Sequence, residues 1–209
     1  YSLNYSYNYD KNPIINMDWV NDSGEKLITT LNATNSISLT DASGGRYGGY
    51  GTGGTSQGAA TLQFEQTVKR AHNLGGSFDT AIETKSLGPV VIRGEALYQK
   101  DVYSPVMDLA ALSIGDLPTA LTMVKGDRFK YVLGADITAL TNMMVSAQFI
   151  QDRNLDYIDT TSTVGNIAVT GAKFTSDYSS MSLSNNFNKA QENKEFYSLF
   201  LSKPFGASG

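Results

Sequence analysis

One histidine, His72, and no cysteine set the limits on the chemistry available to this 209-residue chain. A lone histidine at a strand end reads as a surface residue, so neither a Ser-His-Asp arrangement nor a multi-histidine metal centre is expected. Without thiols there are no disulfides, thiolate metal sites or cysteine nucleophiles. Asp152, Asp156 and Asp159 offer the hard oxygen ligands that calcium takes. Their spacing fits no strict calcium-loop pattern, and solvated loop charge is the reading favoured; Asn21-Asp22-Ser23-Gly24-Glu25 is a weaker candidate still. We therefore expect no catalytic residue, metal or cofactor, and no enzyme activity.

The remaining polar chemistry lies on alternating segments. From Val90 to Val102 the even positions are Val90, Ile92, Gly94, Ala96 and Tyr98, whereas Arg93, Glu95, Gln99 and Asp101 fall at odd positions. A period of two is the signature of a strand with one apolar and one polar face. The segment before it, from Asn73, alternates likewise. Opposite charges across neighbouring strands stabilise a pair, which favours the register that sets Asp79 against Arg93. That register also puts Phe78 over Gly94, where a ring covers bare backbone. Lys85-Ser86-Leu87 then makes the turn, with Gly88 nearby for an unusual backbone angle. A second hairpin pairs Ala139 with Met143 around Leu140-Thr141-Asn142 and brings Lys130 opposite Asp152.

Strands are expected at about 1–9, 73–84, 89–103, 127–139, 143–153 and 194–204, with Tyr1, Leu3, Tyr5, Tyr7 and Tyr9 forming an aromatic face on the first. Between them, long connections at 10–72, 104–126 and 154–193, read as extracellular loops, alternate with breaks of three or four residues. The first includes the Gly/Tyr-rich run 44–58, which reads as a surface loop that could otherwise fold inward. Strand or helix pieces can hide in it, Ala60 to Val68 first among them, and part of 104–126 has enough apolar residues for a short helix. Alternation of long and short connections, with strands of about 9–11 residues, is the pattern of outer-membrane barrels. A soluble Greek-key sandwich would mix its connection types.

The fold class expected is thus all-β: an antiparallel up-and-down transmembrane β-barrel, incomplete, with about six strands of a larger barrel where about eight is the minimum. The chain begins at Tyr1 without a leader and is read as a fragment. Asp79, Arg93, Glu95, Gln99, Lys130, Asp136 and Gln148 would line the lumen. Phe78, Ile82, Val90, Ile92, Tyr98, Tyr131, Leu133, Ile137, Val145 and Phe149 would face lipid.

The segments LGGSFDTAI (74–82), VVIRGEALYQKDV (90–102), YVLGADI (131–137) and FYSLFLSKPF (196–205) resemble a proteobacterial family of outer-membrane proteins, domain of unknown function thirteen-oh-two. The resemblance implies a larger barrel, often found alongside exporters or hydrophobic-compound metabolism, and supplies no catalytic residues. The functional expectation is a porin-like channel or transporter for small or hydrophobic compounds in the outer membrane of a Gram-negative bacterium, with outer-membrane lipid and a small-molecule permeant as partners. Net charge of −4 argues against nucleic acid. Two alternatives stand beside it: a non-conducting structural or surface-interaction barrel acting through its long loops, and a soluble β-sandwich binding module whose apolar faces meet a second sheet.

Overall fold

The computed structural model describes residues 1–31, 37–48, 56–86, 88–139, 143–161, 177–182 and 188–203. The alternating segments form the long strands of one antiparallel sheet: β1 (Ser2–Tyr9), β7 (Arg70–Thr84), β8 (Gly88–Asp108), β9 (Leu121–Ala139), β10 (Met143–Asn154) and β13 (Asn193–Ser202), in the order β1-β7-β8-β9-β10-β13. Each strand is antiparallel to its neighbour, so successive connections alternate between the two ends of the sheet as in an up-and-down meander, the long ones at one end and the short turns at the other. Asp79 lies opposite Arg93, Phe78 opposite Gly94, Ala139 opposite Met143 and Lys130 opposite Asp152, the registers argued from charge and ring cover. Gly88 takes a φ of +70°, a left-handed angle open to glycine without a Cβ clash. Leu87 and the second hairpin's turn, 140–142, fall outside the described residues.

The long connections hold more structure than their composition suggests. In the first lie β2 (Ile14–Val20), β3 (Ile28–Leu31), β4 (Ile37–Thr40), β5 (Arg46–Tyr47) and β6 (Thr61–Thr67). β2 pairs with β6, and β3, β4 and β5 form a second small sheet. β6 is the piece expected within Ala60 to Val68. The stretch 104–126 is largely strand: β8 and β9 run past a bulge between Gln99 and Val102, and continue as a paired arm to Met107 and Leu121. Only the tip of that arm is helical, as α1 (Leu109–Ser113) and α2 (Leu117–Ala120). Asp108 caps α1 by accepting hydrogen bonds from the amides of Ala110 and Ala111. In the third connection β11 (Asp159–Thr161) pairs with β12 (Asp177–Ser180), and β12 pairs with the β8 arm. Part of the Gly/Tyr-rich run, 49–55, lies outside the described residues.

Buried apolar side chains gather at this elaborated end. Leu27, Ile37 and Leu39 form a core that Trp19, Tyr47, Ala60 and Ile114 close over, joining both small sheets to the helical tip. Val102, Val106, Ala110, Ala111, Ala120 and Met181 are buried along the arm. Full burial of a branched aliphatic side chain stabilises by about 1.5–3 kcal/mol, so this end carries the main apolar stabilisation. Toward the short turns, residues 77–92 and 132–150 contribute no buried apolar side chain among those described.

The barrel expectation is corrected here. Among the described residues the sheet is open: β1 pairs only with β7, β13 only with β10, and the two outer strands do not meet. In lipid, each unpaired backbone group along those edges would cost several kcal/mol. No described helix is long and apolar enough to cross a membrane. The molecule is an all-β protein of mostly antiparallel sheets that do not close into a barrel. Without closure there is no lumen to conduct, so the channel or transporter reading, the permeant, the lipid partner and the outer-membrane location are withdrawn with it.

Candidate functional site

The long sheet sorts its side chains onto two faces. Asp79, Arg93, Glu95, Gln99, Lys130, Asp136 and Gln148 share one of them, because strand alternation and the observed registers keep them in phase. They line an open sheet face instead of a lumen. Arg93 pairs with Asp136 on β9, not with Asp79 directly opposite it. Lys130 meets Asp152 at 3.4 Å, and the Gln99 amide donates to Asn73 Oδ1 at 2.9 Å. The face therefore neutralises much of its own charge.

Phe78, Ile82, Val90, Ile92, Tyr98, Tyr131, Leu133, Ile137, Val145 and Phe149 share the other face. Leu3, Tyr5 and Tyr7 of β1, Leu74 of β7 and Tyr197, Leu199 and Leu201 of β13 extend it to both edges. Tyr197 is 74% exposed and Leu199 68%, with Leu133 and Phe78 about half exposed at 48% and 47%. A hollow of about 430 Å³ lies in this face, floored by Gly76, Gly94 and Ala96 and walled by Phe78, Tyr131 and Leu133. Tyr131, Phe149 and Tyr197 form a row along the face beside it, the first pair T-shaped at 5.8 Å between ring centroids and the second tilted at 5.0 Å.

Tyr98 departs from a purely apolar role. Its hydroxyl donates a short hydrogen bond to Asp127 on β9, next to the bulge. That bond, first among the causes, holds the Asp127 carboxyl below its ordinary value and pushes the Tyr98 phenol up. At the bulge Asp101 adopts a φ of +68°, and its carboxylate receives Lys125 at 3.0 Å and faces His72 at 3.9 Å. His72 Nδ1 shares a 2.8 Å hydrogen bond with the Tyr5 hydroxyl, and Tyr7 stacks on the ring at 4.5 Å. The three consecutive polar residues Gln99-Lys100-Asp101 interrupt the period of two, a signal from which the bulge could have been read.

The carboxylates weighed for calcium do not converge. Asp152 is held by Lys130, Asp159 by Lys189 at 2.6 Å, and Asp156 accepts the amide of Asp127 at 2.7 Å. Among the described residues no group of three metal-ligating side chains forms a candidate metal centre. Asn21 instead closes a turn, its side-chain oxygen accepting from the amides of Ser23 and Glu25.

A cleft that the strand pattern did not reveal opens on the polar side, where β9, β10 and β13 approach the elaborated end. It measures about 290 Å³ and includes Tyr103, Pro105, Met123, Arg128, Met181 and Lys194 in its wall. Arg128 Nη2 donates to Ser104 Oγ at 3.0 Å, while its enclosed Nε has no hydrogen-bond partner.

An open, all-β protein with one face that carries the charge pairs, Phe196 and Phe200 exposed along its β13 edge, and one continuous exposed aromatic face is what fold and surface together define, and this arrangement fits a sandwich-type module, open on one side, better than a channel. Compared with protein-family models, curated proteins and solved structures, the chain matches none. The resemblance to the outer-membrane family is therefore withdrawn: it rested on strand alternation, which any half-exposed antiparallel sheet produces.

Proposed function

We propose that the chain is a non-catalytic interaction module whose exposed apolar face is covered by the equivalent face of a second copy, completing a β-sandwich between two molecules. The observation that carries this reading is the continuous apolar surface from Leu3 and Tyr5 to Tyr197 and Leu199, hollowed at Gly76 and Gly94. Contiguous exposed apolar surface of this extent marks an interaction site.

Area supports a sheet as the occupant. Six strands about 4.8 Å apart, each contributing about ten residues at 3.4 Å, make a face of about 800 Å². That is about the area each partner contributes to a standard stable interface. Sheets packed face to face sit about 10 Å apart with interdigitating side chains, and the hollow under Phe78 and Leu133 gives a partner's ring a seat. A second copy supplies a face of the same area and apolar character, and an isologous pairing of two identical patches closes on itself without leaving surface for further copies.

Sedimentation velocity over a range of concentrations tests the proposal. The wild-type chain is expected to associate reversibly into dimers, and the double substitution Leu133→Gln with Leu199→Gln to remain monomeric with unchanged circular dichroism. A wild-type chain that stays monomeric throughout, or a double variant that associates equally well, defeats it.

A further inference from the structure

We propose that the cleft between β9, β10 and the segment leading into β13 binds a small amphipathic anion, its acid group between Arg128 and Lys194 and its apolar part against Met123 and Met181. The site is separate from the apolar face and does not depend on what covers that face.

Charge accounting within the cleft points to an anion. Four charged side chains line it: Arg128, Lys194, Asp152 and Glu192. Both acids are already matched by cations outside the wall, Asp152 by Lys130 at 3.4 Å and Glu192 by Arg153 at 3.7 Å. Among the described residues neither Arg128 nor Lys194 has a carboxylate partner within ion-pairing distance. Lys194 lies directly across from Asp152 without forming an ion pair with it, and with Lys130 and Arg153 counted the cleft and its immediate rim carry two more cations than acids.

Arg128 also has the geometry of a receptor. Its hydrogen bond to Ser104 Oγ holds the guanidinium in place, and with Nε enclosed it is the terminal nitrogens that can meet a ligand in the cleft. A planar guanidinium matches two oxygens of a carboxylate or phosphate side by side. Tyr103, Pro105, Met123 and Met181 supply an apolar wall beside it, and methionine adapts to ligand groups of varied shape. A volume of about 290 Å³ suits a ligand of about ten heavy atoms, at the lower end of ordinary binding pockets. Carboxylates and phosphate monoesters share the required chemistry.

The chain's six methionines make the test local. With the methyl groups carbon-13 labelled, Met123 and Met181 report on the cleft, and Met143 and Met144 at the far end of the sheet serve as internal controls. Three compounds are titrated at millimolar concentrations: 3-phenylpropanoate, phenyl phosphate and the neutral 3-phenylpropan-1-ol. The expected result is saturable movement of the Met123 and Met181 signals with at least one anion, static Met143 and Met144 signals, and no response to the alcohol. Preference between the two anions separates a carboxylate ligand from a phosphate ester. Arg128→Gln and Lys194→Gln should each weaken binding about tenfold or more. Lys194 is exposed, so its variant tests the charge even if Arg128→Gln disturbs the fold. Unmoved Met123 and Met181 signals with both anions, equal response to the alcohol, or an unchanged affinity in Lys194→Gln overturns the proposal.

Discussion

Gly94 and Phe78 offer a sharp test of the sheet's register. A Cβ added at Gly94 would lie 2.4 Å from Phe78 Cε1 and 2.7 Å from Cζ, where carbon atoms normally sit about 3.5–4.0 Å apart. In Gly94→Ala the ring must therefore lift by more than 1 Å or leave its rotamer, the kind of overpacking that costs about 1–3 kcal/mol. Phe78 is 47% exposed and has room to yield, which puts the cost near the lower end, about 1–2 kcal/mol. Against it, replacing glycine with alanine at an ordinary extended position stabilises by about 0.4–1 kcal/mol through the unfolded chain. Gly94→Ala alone should thus come out between neutral and about 1.5 kcal/mol destabilising, while in a Phe78→Ala background it should stabilise by about 0.5 kcal/mol. Urea unfolding of the four proteins in the double-mutant cycle measures the coupling, expected at about 1–2 kcal/mol. A coupling below about 0.3 kcal/mol would mean that Phe78 does not cover Gly94, and the argument from ring cover to register would collapse.

Three further outcomes are expected. Asp101 sits at a φ of +68°, so Asp101→Val should destabilise by about 1–3 kcal/mol while Asp101→Asn, which tolerates that angle, stays within about 0.5 kcal/mol of wild type; equal losses in chemical denaturation would show that backbone strain is not what the bulge imposes. Asp108→Ala removes the acceptor of two buried amides and should lower stability by about 1–2 kcal/mol, an effect that thermal unfolding would show to be absent if the cap does not form. Tyr98→Phe should alter the pH dependence of stability. The depressed carboxyl of Asp127 contributes stability above its unfolded value near 3.9 and loses it as pH falls through the folded value; the raised phenol of Tyr98 contributes fully below about 10 and loses it as pH rises through its folded value. The wild-type advantage over Tyr98→Phe should therefore be widest between about pH 4 and pH 10, and an advantage that does not shrink toward acid would rule out the Tyr98–Asp127 bond as its source.

Side-chain period and charge carried a large part of the fold. The six long strands, the registers that set Asp79 across from Arg93 and Lys130 across from Asp152, and the two-faced distribution of side chains follow from alternation and charge together, because a one-residue slip would move every side chain to the wrong face; the charge argument did not foresee that Arg93 would reach Asp136 instead of Asp79. Closure does not follow from alternation. A meander with long and short connections is compatible with a barrel or with an open sheet, and only the partners of the two outer strands decide between them. The loop ends were hidden for a different reason. β3, β4 and β5 are two to four residues long, too short for a period to register, and their core is assembled from distant residues such as Leu39 and Ile114. The cleft escaped for the same reason: Arg128 and Lys194 are 66 residues apart, and nothing in the spacing between them announces a shared wall.

The concentration of buried side chains around Leu39 and Val106 reverses the usual relation between frame and loops. In most β proteins the strands are the last part to open and the connections the first. Here the connections hold the dense packing, while the strand ends near Thr84, Gly88 and Met143 depend on backbone hydrogen bonds and on whatever covers the aromatic face. Amide exchange in the uncovered chain should accordingly run as a gradient along each long strand, slowest in the arm beside Val106 and fastest toward the short turns. A partner seated on the sheet would slow the fast half most. In that sense the elaborated end acts as a handle that keeps its shape, and the sheet below it as the part that becomes rigid on contact.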